Sequence, residues 1–267
     1  MIGTELVREL VETVILTGRV KDCDPCSLLL IAAPESGKTS IVLDRPCKAV
    51  EAFADLTGRG IHMVLAQRGK EITHLVINDL VAVLSHRQSV NRYTISQLNA
   101  LTEEGIEKIA TPGGVQEFKY GRKGVIASLT LEMAKDARMW WNKVGFATRM
   151  LPFCYSYPEE LIIKIKASID MNGGRTFSKK DNKEFKTPVL PFSVTYPEPV
   201  IKEVRYIADV RSSVMGEQGM RRLKQYHGLA QAHALWRGRS KAIVGDEDVD
   251  FLKRIDLYVS YSKPRPL

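Results

Sequence analysis

Apolar positions along the chain fall into three patterns. The first is the continuous run. Leu28–Ala32 is five apolar residues without a polar interruption, which reads as a short strand buried on both faces. Gly124–Leu129 (GVIASL) reads the same way, and His74–Leu80 (HLVINDL) is an apolar strand that closes on Asn78 and Asp79. The second is helical spacing. In Thr4–Thr17, Leu6, Leu10 and Val14 form a stripe with Val7 and Val11 beside it, and Gly18 stands at the C-cap. Residues 90–104 carry Val90, Ile95, Leu98 and Leu101 at the same period. Near the end, Met220, Leu223, Tyr226, His227, Ala230 and Ala234 keep helix spacing until Gly238. A closing helix opens on Asp246, Glu247 and Asp248 and buries Val249, Leu252 and Ile255.

The third pattern is interruption. Strand-like pieces Ile106–Ile109 and Val115–Tyr120 flank Pro112-Gly113-Gly114, which predicts a hairpin. Residues 47–70 leave a choice open, with a strand inside Cys47–Leu56 and a helix inside Gly60–Gln67 that periodicity does not settle. Residues 170–200 are rich in Gly, Lys, Asn and Pro with little periodicity, which predicts a flexible loop or linker at a domain boundary. The expected division is a core over 1–169, a linker over 170–204 and a helical segment over 205–267. Alternating strands and helices predict an α/β fold around a mostly parallel sheet.

The residues after the first buried run supply chemistry. Ala32–Thr39 fits the phosphate-loop pattern G-x-x-x-x-G-K-[ST], with Ala32 in place of the first glycine. Ala33, Pro34, Glu35, Ser36, Gly37, Lys38, Thr39 and Ser40 are therefore the expected nucleotide-binding residues. Backbone N–H groups, proline excepted, wrap phosphate oxygens. Lys38 reaches the β and γ phosphates, and Thr39 offers its hydroxyl to Mg²⁺. A strand ending in an acid is the second half of such a site, so Asp79 is expected to act on Mg²⁺ beside Thr39. The cofactors implied are ATP and Mg²⁺.

Composition narrows the setting. The chain has 267 residues, 44% hydrophobic and 26% charged, as for an ordinary globular protein. No apolar run approaches 18 residues and the N-terminus carries acids, so neither a membrane span nor a signal peptide is expected. Four scattered cysteines fit a reducing, cytoplasmic setting. Cys23-x-x-Cys26 lacks a second ligand pair for zinc and a thioredoxin-like context for redox chemistry, and reads as small residues leading into the strand. His227 and His233 read as satisfied helix histidines, not ligands. The net charge of +8 suits a polyanionic partner. Lys108, Lys119, Arg122 and Lys123 crowd the hairpin and are candidates for gripping a nucleic-acid backbone, the alternative being a solvated face.

The order of phosphate loop, acid-ended strand, helix, hairpin, strand ending at Thr130 and then GFATRMLPF (145–153) resembles an AAA+ ATPase. The hairpin before the Thr130 strand resembles the branch of minichromosome maintenance helicases and MoxR-type ATPases. That resemblance implies a three-layer P-loop core with a small C-terminal helical lid, assembled as a homo-oligomeric ring, a hexamer. It also implies that Thr130 is the sensor orienting the attacking water. Arg149, in Thr148-Arg149-Met150, is the finger that reaches a neighbour's nucleotide, and Arg221 is the lid arginine, with Arg222 as the adjacent alternative. Asn78-Asp79 replaces the usual Asp-Glu pair. Either Asp79 serves the metal with no adjacent base, or Asn78 stands in there and Asp79 is the base; Glu103 and Glu104 are further candidates. The activity implied is ATP hydrolysis on nucleic acid, DNA first, by a helicase-like motor or loader from a mobile element. A MoxR-type remodeller of a partner protein and a slow nucleotide-gated scaffold are the alternatives.

Overall fold

Alternation along the strands decides the layers. The computed structural model describes residues 3–43, 47–111, 114–118, 121–171, 184–238 and 242–267. In β1 (Ser27–Ile31) every residue is buried. Successive side chains of a strand point to opposite faces, and the core divides accordingly: Leu28 and Leu30 join one hydrophobic cluster, Leu29 and Ile31 the other. In β3 (His74–Ile77), Val76 faces the first side and Leu75 and Ile77 the second. In β6 (Gly124–Leu129), Ile126 is set against Val125, Ala127 and Leu129. Each fully buried Leu or Ile stabilises by about 1.5–3 kcal/mol, so these strands have no side on which a polar residue is cheap.

With β2 (Val50–Phe53), β7 (Met150–Ser156) and β8 (Arg265–Pro266), these strands form one six-stranded sheet in the order β2-β3-β6-β1-β7-β8. Every neighbouring pair is parallel. Leu28 lies opposite Ile126 on one side and Leu151 on the other, which puts β1 inside the sheet. One face is covered by α1 (Glu5–Thr17), α9 (Glu198–Met215), α10 (Met220–Trp236) and α11 (Asp246–Asp256), through residues such as Leu10, Val14, Val204, Leu229 and Leu252. The other face is covered by α3 (Gly58–Arg68), α4 (Leu80–Ser85), α5 (Gln88–Glu103), α6 (Leu131–Lys143) and α7 (Phe146–Arg149), through Ile61, Val83, Leu98, Trp141 and Phe146. The result is the three-layer α/β arrangement expected of a phosphate-loop core. Of the remaining elements, α2 (Lys38–Leu43) follows β1, α8 (Glu159–Met171) follows β7, and β4 (Lys108–Thr111) pairs antiparallel with β5 (Gly114–Glu117).

Four expectations change. The HLVINDL strand stops at Ile77, because Asp79 turns the chain and caps α4. The undecided stretch 47–70 resolves into β2 and α3. Gly18 is the C-cap of α1 as expected, but with a φ of −72° it is not left-handed, and it is small because a Cβ there would lie 2.5 Å from Thr73 Cβ. Much of the expected flexible linker is tied down. Lys21 N donates to Phe192 O at 2.9 Å and Phe192 N to Arg19 O at 2.7 Å, Thr195 N donates to Ala242 O at 2.9 Å, and α9 begins at Glu198. Residues 172–183, in the middle of that stretch, lie outside the described residues. Among the described residues, no helix is long and apolar enough to cross a membrane.

Candidate active site

The phosphate loop leaves β1 at Ile31, and Ala32 N still donates to Leu129 O of β6 at 3.3 Å. Glu35 and Gly37 then take positive φ values of 61° and 70°. Left-handed residues within a turn aim successive N–H groups into one concavity, which is how backbone cradles an anion; Gly37 does this without steric cost. Ser36 is buried, and its carbonyl accepts from Tyr157 Oη at 2.7 Å and Tyr155 Oη at 3.3 Å, which pins the loop to β7 and its exit. Lys38 Nζ donates to Ala32 O at 2.9 Å, Ala33 O at 2.7 Å and Ser36 Oγ at 3.2 Å. Burial pulls the Lys38 ammonium below the usual lysine range, against the opposing pull of Asp79 and Glu132. Thr39 and Ser40 are exposed.

The sheet register brings the other parts to this edge. Leu129 lies opposite Ile31, so Thr130 follows at the loop's side of β6. Its Oγ1 caps α6 by accepting from Met133 N at 3.4 Å. Just past β3, Asn78 N donates to Phe53 O at 3.0 Å and Ser128 Oγ donates to Asn78 O. Asp79 is exposed, and its Oδ1 accepts from Val81 N at 3.0 Å. Asn78 Oδ1 is buried and has no hydrogen-bond partner among the described residues. A hard oxygen without a proton donor, in the residue before a carboxylate, fits a hard divalent cation such as Mg²⁺. Glu132 is a member of this edge that the motif did not include. Its place in the first turn of α6 reads in sequence as a helix-dipole acid, which hid its proximity to Lys38.

Arg149 and Arg221 belong to the opposite edge. Met150, the residue after Arg149, lies opposite Ser27 at the start of β1. The length of β1, roughly 13–17 Å at about 3.3 Å per residue, therefore separates Arg149 from the loop. Arg221, in the first turn of α10, comes to the same place: its Nε donates to Glu103 Oε2 at 2.8 Å and its Nη1 to Thr148 Oγ1 at 3.2 Å. The same Glu103 oxygen lies 3.3 Å from Arg149 Nε. Arg149 Nη1 donates to Gly145 O at 2.6 Å. Burial and then the Arg221 charge pull the Arg149 guanidinium down, while Glu103 and Glu104 pull it up. The alternative Arg222 is buried and committed to Glu217 and Gln225, each at 2.8 Å. Glu103, engaged with two arginines at the far edge, is not placed to serve as base for the chain's own loop.

The basic hairpin comes apart as a cluster. Lys123 is buried, and its Nζ donates to Gly69 O at 2.7 Å and Ile72 O at 2.8 Å, so it faces the interior and not a polyanion. Lys108 pairs with Glu117 across the strands at 2.9 Å, and Arg122 pairs with Asp24. Lys119 lies outside the described residues. Cys23 and Cys26 are free thiols, both pushed up to about 12 by burial, so neither ionises at neutral pH.

The fold has a solved counterpart. A full-length MCM homolog from Methanopyrus kandleri matches with a TM-score of 0.52 at 14% identity, over 98% of this chain and 57% of that one. At that identity the likeness is one of fold, and this chain spans little more than half of that protein's length. No protein-family model matches the sequence, and no curated protein matches it.

Proposed function

We propose that this chain is an ATPase that turns over as a homo-oligomer, each subunit supplying the loop half of one site and the arginine half of the next. One observation carries the reading: Arg149 and Arg221 are held together by Glu103 at the sheet edge away from the chain's own loop. Two guanidiniums positioned there are out of reach of phosphates on the chain's own loop and fit phosphates brought by another copy. In this reading the loop N–H groups and Lys38 hold the β and γ phosphates, and Thr130 and Asp79 orient a water. The water oxygen bonds to the γ-phosphorus as the bond to the β–γ bridging oxygen breaks. ADP leaves, and Asp79 takes the water's proton. Thr39 and Asn78 would hold Mg²⁺, Asn78 standing in for the usual metal carboxylate and leaving Asp79 as the base, and the bound ion would neutralise charge on the β and γ oxygens. The neighbour's arginines offset the charge on the transferring phosphoryl group. Asn78, neutral where a second carboxylate would hold the cation more tightly, supports slow turnover.

Mixing tests the split site. Arg149→Ala and Asp79→Asn variants should each be inactive alone, whereas a mixture should regain activity, because each supplies the half its neighbour lacks. Co-assembly without any recovery would place Arg149 outside the site.

For the substrate, the net charge of +8 and the fold shared with an MCM homolog support nucleic acid. With Lys123 buried and Lys108 and Arg122 paired, the hairpin contributes little to that support. ATPase rates with and without DNA at two salt concentrations decide the matter. Stimulation that fades with salt is expected for a motor on nucleic acid, and indifference to DNA would turn the reading to a remodeller of a partner protein.

A further inference from the structure

We propose that Arg138 is a third cation of the arginine half-site and binds a phosphate oxygen of the nucleotide held by a second copy of this chain. The proposal rests on the split site described above and extends it to a residue outside every motif.

A groove of about 690 Å³ runs between α6 and the corner where α9 meets α10, within the roughly 300–1,000 Å³ range of ligand clefts. Arg138, Thr148, Arg221, Lys224 and Glu103 line it. Charge within it is unbalanced. The Glu103 carboxylate is shared by Arg149 and Arg221, and the other lining acid, Glu217, is engaged by the buried Arg222. Lys224 comes no nearer than 3.9 Å to Asp24. Arg138 has no ion pair or hydrogen bond among the described residues.

Arg138 is nonetheless positioned. Its guanidinium lies over the Tyr261 ring, 5.7 Å from the centroid. Tyr261 is buried, and its hydroxyl donates to Ala147 O of α7, the four-residue helix that ends in Arg149. The support of Arg138 is thus fastened to the same short element that carries the finger, while Thr148 of that element holds Arg221. A guanidinium held over a fixed ring keeps its N–H fork free for an oxyanion without having to be ordered first. Because the chain's own loop is at the other end of β1, the phosphate that completes this groove comes from outside the chain. Continuity with Arg149 and Arg221 through Glu103 favours a nucleotide over a nucleic-acid backbone.

The test uses the full chain in its assembled state. Arg138→Ala should lower kcat about tenfold or more, with nucleotide affinity of the unassembled protein unchanged. Arg138→Lys should recover part of the loss as a point charge. Mixing Arg138→Ala with Asp79→Asn should restore turnover, which a purely structural defect would not allow. Arg138→Gln, which keeps a planar polar head near Tyr261, serves if the alanine variant misfolds, and the same loss is expected. Parent-like turnover of Arg138→Ala alongside inactive Arg149→Ala would overturn this proposal and leave the split site standing. Parent-like turnover of Arg149→Ala would remove the split site itself. Weaker DNA binding with intact ATPase activity would overturn the proposal in favour of a nucleic-acid groove.

Discussion

Glu103 and Arg221, 118 positions apart in sequence, meet at 2.8 Å between Oε2 and Nε. The pair joins α5, packed on one face of the sheet, to α10, packed on the other, and does so where Arg149 also arrives. Burial works to raise the Glu103 carboxyl, but the hydrogen bond and charge of Arg221 outweigh it and leave the group below its usual range. A lowered folded value stabilises above the unfolded pKa, about 4.3, and the gain is lost as pH falls through the folded value. With a third of the side chain exposed, solvent screening limits the loss in Glu103→Gln to about 0.5–1 kcal/mol at pH 7. Urea denaturation should show that loss shrinking as the pH is taken below about 4; a constant difference would mean that the carboxylate's charge is not what stabilises.

At the loop, Lys38→Ala should abolish tight ATP binding, because it removes the fixed positive charge at the β and γ phosphates. Isothermal titration calorimetry gives the answer directly. Unchanged affinity would remove the phosphate-loop assignment.

At the strand edge, Asp79→Asn should leave ATP bound and cut hydrolysis by at least ~10²-fold. Asn78→Asp is expected to raise both Mg²⁺ affinity and rate, since it turns a buried, unpartnered amide oxygen into a charged ligand. If Asn78→Asp changes neither, Asp79 performs the edge's work alone.

Lys123 gives a test of interior against surface. Burial, with a smaller push from Arg19, pulls its ammonium down to about 8. The unfolded chain then binds more protons between about 8 and the ordinary lysine value of about 10.4, so the parent protein should gain stability over that window as pH rises. Lys123→Met should lack this gain in guanidinium titrations at pH 7.5 and 10, and should bind DNA like the parent. A drop in DNA affinity without loss of stability would return Lys123 to the surface.

His233 should impose the opposite slope. Its ring stacks on Phe251 at 4.1 Å, and its nitrogens meet Asp248 at 2.7 Å and Glu9 at 2.9 Å, linking α10 to α11 and α1. Burial opposes the charged ring, but the two carboxylates outweigh it and leave the group raised. Its contribution is complete below about pH 6.5 and is lost as pH rises through the folded value. Melting temperatures of His233→Gln, set against the parent at pH 6 and 8.5, should converge at the higher pH; a gap that widens there would reverse the sign.

The sequence by itself determined the strands β1, β3 and β6 and the loop, but not β2, β7 or β8. Leu28–Ala32 is apolar throughout and Gly124–Leu129 is apolar but for Ser128, as a strand buried on both faces requires, and the Gly37-Lys38-Thr39 tripeptide carries its geometry in adjacent residues. These signals are local, so they survive without a fold. Only the tertiary structure decided which charges are partners. Lys123, Lys108 and Arg122 look alike along the chain. One is buried against two carbonyls and the others meet acids brought by Glu117 and Asp24. The separation of Arg149 from the loop is likewise a property of the parallel sheet, since Met150 begins its strand beside Ser27 while the loop leaves β1 beyond Ile31. Arg138 has no motif at all. Its position is set by Tyr261, far along the chain, because a cation's surroundings depend on which distant segments pack beside it and not on its neighbours in sequence.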